Sequence, residues 1–168
     1  MKQVTKFYIT SFLKNQTYFT PILIIFLQAN FLTFQEIFWV FTIGSIISFL
    51  IEIPTGIIAD LYGKRRSIIL SKLGIFLSFI VFGFSDGFWM FVIAQAVYEI
   101  GNSFRSGTET AYTYDYLEQN KNHSPSYTEV KGKQKFWARA GESLATATGG
   151  FLAVKFGYAW VFFIAAVP

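Results

Sequence analysis

The chain has 168 residues, of which 53% are hydrophobic and 20% aromatic, with 21 Phe and a formal charge of +4; its mean hydropathy is +0.43. A soluble domain would expose aggregating patches with that composition, so lipid is the expected solvent. Cys is absent, which excludes disulfides, thiol catalysis and thiolate metal sites, and a single His, His123, in a polar stretch excludes a histidine metal cluster.

A transmembrane helix needs roughly 20 mostly apolar residues. The first is expected over about 7–27, where Lys2, Lys6 and Lys14 interrupt the apolar run and no small-residue cleavage site follows, so the span is expected to be retained and not removed as an export signal. The second is expected over about 37–59, the third over 68–84 and the fourth over 88–112. The polar tract EQNKNHSPSYTEVKGKQK, 118–135, reads as an aqueous loop. A fifth helix follows over about 136–154, and the last apolar run, 158–168, is too short to cross. The expected fold is therefore all-α, a polytopic membrane bundle of five full helices and a truncated sixth. A helix cut off in mid-bilayer leaves carbonyls unpartnered, so a fragment of a longer chain is expected.

Cations set the orientation, because cytoplasmic loops retain positive charge. Lys2, Lys6 and Lys14 lie at the start; Lys64, Arg65, Arg66 and Lys72 flank the second turn; Lys121, Lys131, Lys133, Lys135 and Arg139 flank the fourth. The opposite turns, ANFLTFQE and SDG, carry no cation, and only Lys155 lies near the end of the fifth helix. The amino terminus is expected inside, with the 118–135 loop cytoplasmic. Cations scattered in short clusters beside apolar segments make no single basic face, which argues against nucleic acid as a partner and for membrane lipid. Trp39, Trp89 and Trp137 fall where interfacial aromatic belts are expected.

The string Gly56-Ile-Ile-Ala-Asp60-Leu-Tyr-Gly63-Lys64-Arg65-Arg66 sits at the second turn. Gly63 permits the positive φ of a very tight connection, and Gly56 lets a neighbouring backbone approach. The cations anchor to headgroups, whereas Asp60 at a membrane edge needs a cation or a helix amino terminus. The string resembles the signature G-x-x-x-D-[RK]-x-G-[RK]-[RK] between helices two and three of the major facilitator superfamily, matching at Gly56, Asp60, Gly63, Lys64 and Arg65 and departing at Leu61. In that family the turn is an inner-gate latch, and the resemblance implies that role for Asp60 and Lys64. Lys64 stands where the family often has Arg, so a looser latch is expected. A second stretch, GNSFRSGTETAYTYDYLEQ, looks like the end of helix four in a bacterial branch of the family. Its Ser106, Gly107 and Thr108 suit close packing. The resemblance extends the charge relay to Asp60, Lys64 and Asp115, and it implies an amino-terminal half of a twelve-helix transporter in a bacterial cytoplasmic membrane.

Glu52, Glu99, Arg105, Glu109 and Glu142 fall within expected spans. Each costs roughly 2.5–3.5 kcal/mol at a helix centre unless compensated, so each is expected to face the bundle interior or a wet cavity. Glu52 lies about 12 Å inward of Asp60 at 1.5 Å per residue. Arg105 with Glu109, and Arg139 with Glu142, are spaced to pair on one helix face. They read first as an ionic cluster that packs the inner leaflet; the sharper reading is a polar path with Arg105 receiving an anion. Glu99, with no cation one turn away, is a candidate carrier of a coupling proton or a neutral carboxyl bonded to another helix. Gln16, Thr17 and Tyr18 are candidate cavity residues on position alone.

Two family patterns are altered. Where many proton-coupled antiporters carry R-x-x-x-G-x-G, the chain has Gln95-Ala-Val-Tyr-Glu99-Ile-Gly101. The drug-antiporter pattern G-x-x-x-G-P-x-x-G-G reads Gly141-Glu-Ser-Leu-Ala145-Thr146-Ala-Thr-Gly149-Gly150, without the Pro. Its small residues, Gly149 and Gly150 among them, still suit tight packing. No phosphate-binding loop, cofactor fingerprint, metal set or nucleophile-base pair is present, so no enzyme activity and no cofactor are expected. The expected function is secondary transport of a small-molecule substrate, with or without a coupling ion, together with a missing carboxy-terminal bundle. The alternatives are a half-size transporter completed by a second copy, and a non-transporting membrane protein of the same fold.

Overall fold

The computed structural model describes residues 2–120 and 125–166. Lys121, His123 and the last two residues of the short apolar run, 167–168, lie outside the described residues, as do the surroundings of Gly107. The described chain is helical, without strands: α1 Lys2–Lys14, α2 Leu23–Ala29, α3 Phe34–Tyr62, α4 Lys64–Phe84, α5 Phe88–Gln119, α6 Tyr127–Phe156 and α7 Tyr158–Ala165. Two of them, α3 and α4, are both long and apolar enough to cross a membrane.

The helix expected over 7–27 is divided into α1 and α2 by the irregular stretch 15–22. Pro21 removes a backbone donor and crowds the preceding turn, and Asn15, Gln16 and Thr17 offer competing side-chain bonds; Asn15 Nδ2 donates to the Ser11 carbonyl at 2.7 Å. At the other boundary the polar tract is shorter than 118–135. α5 runs on to Gln119 and α6 starts at Tyr127, where Ser126 Oγ caps the Glu129 N–H at 3.3 Å. Glu129 then accepts from Lys133 one turn later at 2.7 Å. Polarity at 127–135 thus marks a solvated extension of a helix and not a loop.

Gly63 is the only residue between α3 and α4, at φ 92° and ψ 139°, a conformation that non-glycine residues rarely adopt. α3 and α4 both pack on α5, while α1 lies along α6; α7 touches α4 and α6. The molecule is therefore a trio, α3–α5, beside a pair, α1 and α6.

Small residues set both close approaches. Gly74 of α4 meets Gly101 of α5, where an added Cβ at Gly101 would come 2.8 Å from Ile75 N. On α6, Gly141, Ala145, Gly149 and Ala153 recur every four residues and are buried; a Cβ at Gly141 would come 2.4 Å from the Phe12 carbonyl oxygen, and at Gly149 2.3 Å from that of Tyr18. Gly150 and Gly56 have open space instead, so neither serves a close approach within this bundle. Between the two groups, at the end formed by α2, α7 and the start of α5, rings fill the core: Phe82 stacks on Phe162 at 5.3 Å, and Phe26 meets Phe91 edge-on at 5.6 Å. At the opposite, basic end the seam is closed by the smaller cluster Val4, Phe7, Leu117 and Val130.

Candidate functional site

The basic end collects the charges. With Gly63 reversing the chain in one residue, Lys64 opens α4 beside the last turns of α5, and its Nζ donates to Asp115 Oδ2 at 2.5 Å. The side chains keep 28% and 47% of their exposure, so water screens the pair. Asp60 is exposed and has no ion-pair partner among the described residues; Arg65 is likewise exposed. Two of the three members of the expected relay therefore meet, and Asp60 is ion-paired with neither.

The ionic pairs within the helices also differ from their spacing. Arg105 does not pair with Glu109: its Nη2 donates to Asn102 Oδ1 at 2.8 Å, and Glu109 accepts from Lys14 Nζ of α1. Arg139 and Glu142 do pair along α6, at 2.6 Å, with Arg139 exposed and Glu142 half-buried. Glu52 is exposed on α3 and does not face the interior of this bundle. Glu99 lies at the α3–α5 contact, where Oε1 accepts from Gln95 Nε2 at 2.9 Å, Ser48 and Asn102 stand within bonding reach, and Gly44 leaves the room.

A polar cleft of about 510 Å³ opens along the seam at this end, between α1, α5 and α6. Lys14, Arg105, Glu109, Lys131 and Lys135 line it, as does Gln134, whose Oε1 is buried without a hydrogen-bond partner. Lys131 reaches toward Thr110 of α5 at 3.4 Å. Burial, and then the Lys14 cation, hold the Lys131 amine below the ordinary lysine range. Lys14, Asn102, Lys131 and Gln134 were not singled out from the sequence as site residues. Their convergence draws on three helices, with Lys14 bonded to Glu109 across 95 positions of the chain, and no local pattern signals it. Gln16 also ends with a buried, unpartnered Oε1 in the α1–α2 break, while Thr108 is buried and Ser106 is exposed.

Among the described residues no group of His, Cys, Asp and Glu could hold a metal ion. The profile described as Major Facilitator Superfamily matches residues 8–168. No curated protein matches the chain.

Proposed function

Since the chain belongs to the major facilitator superfamily, integral membrane proteins that transport small molecules and are not enzymes, we propose that it is one helical bundle of a secondary transporter working by alternating access. In such transporters two bundles rock about a site near the bilayer midplane, and one bundle alone cannot enclose that site from both sides. The second bundle comes from a longer chain or from a second copy. The observation that carries the reading is the Lys64–Asp115 contact, which ties the α3–α4 turn to the end of α5. It is the kind of partly exposed link that a moving turn can break and remake at little cost. Asp60, exposed one turn before Lys64, is then available to dock on the second bundle in one of the two states. The basic end faces the cytoplasm on this reading, which the clustering of Lys and Arg supports.

Proteoliposomes holding this bundle together with a second one should take up a member of a small-solute panel saturably. Asp60→Asn is expected to slow that uptake about tenfold, the equivalent of 1.4 kcal/mol on the barrier, while leaving insertion unchanged. Saturable uptake by a monomer of this chain alone would overturn the two-bundle reading, and an unaltered rate in Asp60→Asn would overturn the latch.

A further inference from the structure

Beyond its buried side, marked by Ile37, Val40, Gly44, Thr55 and Ala59, α3 has two exposed flanks of different chemistry. At about 100° per residue, Ile46, Leu50, Ile53, Ile57 and Leu61 share one flank, and all are aliphatic and largely exposed. Acyl chains suit that flank. The other carries Phe38, Thr42, Ser45, Phe49, Glu52 and Gly56 at alternating steps of four and three residues, and Asp60 extends it to the basic end. That spacing is the pattern of a helix–helix seam in a left-handed bundle.

Glu52 is poorly suited to lipid. α3 is apolar and long enough to cross a membrane, and at 1.5 Å per residue Glu52 sits about 12 Å inward of Asp60, toward the middle of a ~30 Å hydrocarbon core. A glutamate stem is too short to carry its carboxylate to the headgroups from there, and an unpaired charge at that depth is expensive. Yet Glu52 is exposed, and its carboxylate has no hydrogen bond or ion pair among the described residues. One turn later Gly56 is exposed, with nothing within 4 Å of where a Cβ would lie, so a second backbone can come close. On the other side of Glu52, a groove of about 450 Å³ lined by Phe38, Thr42, Ser45 and Phe49 gives room for the side chains of a helix laid along the flank.

From these observations we infer that this flank of α3 is the docking seam for a transmembrane helix of the second bundle, one that carries a lysine or arginine at the level of Glu52 and passes closest at Gly56. The inference rests on the two-bundle reading and states the chemistry of the partner. Charge complementarity selects a cationic helix over a second copy seated on the same flank, because two-fold pairing of the flank with itself would bring carboxylate against carboxylate at Glu52 and again at Asp60. A cation on the partner would instead neutralise Glu52 inside the core, where the low dielectric strengthens the pair.

The test is energy transfer in phosphatidylcholine vesicles between the labelled full chain and a labelled single-span Leu-Ala helix of about 22 residues, with Leu, Arg or Glu at its centre and the same Lys residues at both ends. The Arg helix should associate saturably and about tenfold more tightly than the Leu and Glu helices. Glu52→Gln should remove that preference, and Gly56→Leu should weaken association of the Arg helix, while Glu118→Gln should leave it unchanged, with circular dichroism showing intact helix content in each. Equal association of the three helices with the wild type, or an Arg preference that survives Glu52→Gln, overturns the inference. Self-association of the chain that Glu52→Gln alters in the absence of any added helix also overturns it and assigns the flank to a second copy. Association is read here without flux, so its failure would leave the two-bundle transporter standing, whereas failure of that reading would appear in the uptake assay alone.

Discussion

Asp115, near the end of α5, and Gly63, between α3 and α4, contribute to the same corner in different ways. The Asp115 carboxylate holds Lys64 but remains 47% exposed, and ion pairs of that kind contribute about 1 kcal/mol or less. Asp115→Asn should therefore lower the detergent melting temperature very little while changing uptake by the two-bundle transporter; a large loss of stability would show the contact to be structural. Gly63 makes no close contact, yet its φ of 92° is one that side-chain-bearing residues rarely adopt. Gly63→Ala should cost about 1–3 kcal/mol, read as a lower melting temperature. Lys131 supplies a pH dependence. Its folded-state pKa is lowered, first by burial and then by Lys14, so between that value and lysine's ordinary one the unfolded chain binds more protons. Stability contributed by this group should rise with pH across that window, and the rise should be absent from Lys131→Gln. Of these residues, Gly63 is legible in the sequence from the geometry of a tight turn, whereas Lys64 and Asp115 are singled out by the resemblance of their strings to those of a known family. Lys131 is not, because only the fold sets it against α5.

At the scale of helices, small residues decide who packs on whom. Two glycine replacements on α6 should differ in sign. Gly141→Ala drives a Cβ to within 2.4 Å of the Phe12 carbonyl oxygen, and overpacking against backbone typically costs about 1–3 kcal/mol. Gly150→Ala meets nothing within 4 Å and should gain up to about 1 kcal/mol from helix propensity. Thermal melts of the two variants in one detergent test the contrast, and equal shifts would mean that α1 does not lie against α6. The four-residue spacing from Gly141 to Ala153 can be read in the sequence, but not which of the adjacent Gly149 and Gly150 faces the partner. That depends on the rotation of α6 about its axis. Likewise the helix starts at Lys64 and Phe88 follow from a glycine before each, whereas the division of the first span reflects Pro21 and the polar run before it. Hydropathy averaged over 20 residues conceals that competition.

At the scale of the molecule, α3 keeps a long apolar face uncovered, with Phe49, Ile53 and Leu61 each about three-quarters exposed. Lipid or a second bundle must cover such a face, as expected for a membrane protein of this family. Composition and the 20-residue periodicity of apolar runs were enough to dictate a helical membrane protein, and the Gly56–Arg66 string was enough to indicate its family, because both signals are local in the chain. Partners across the seam were decided only in three dimensions. Glu109 took Lys14 of α1 in place of Arg105 one turn away, Glu52 turned outward, and four cations from three helices met around one groove. Helix rotation and the side-by-side placement of trio and pair determine those meetings. They arise from the summed packing of distant small and aromatic residues, a quantity that no short window of the sequence contains.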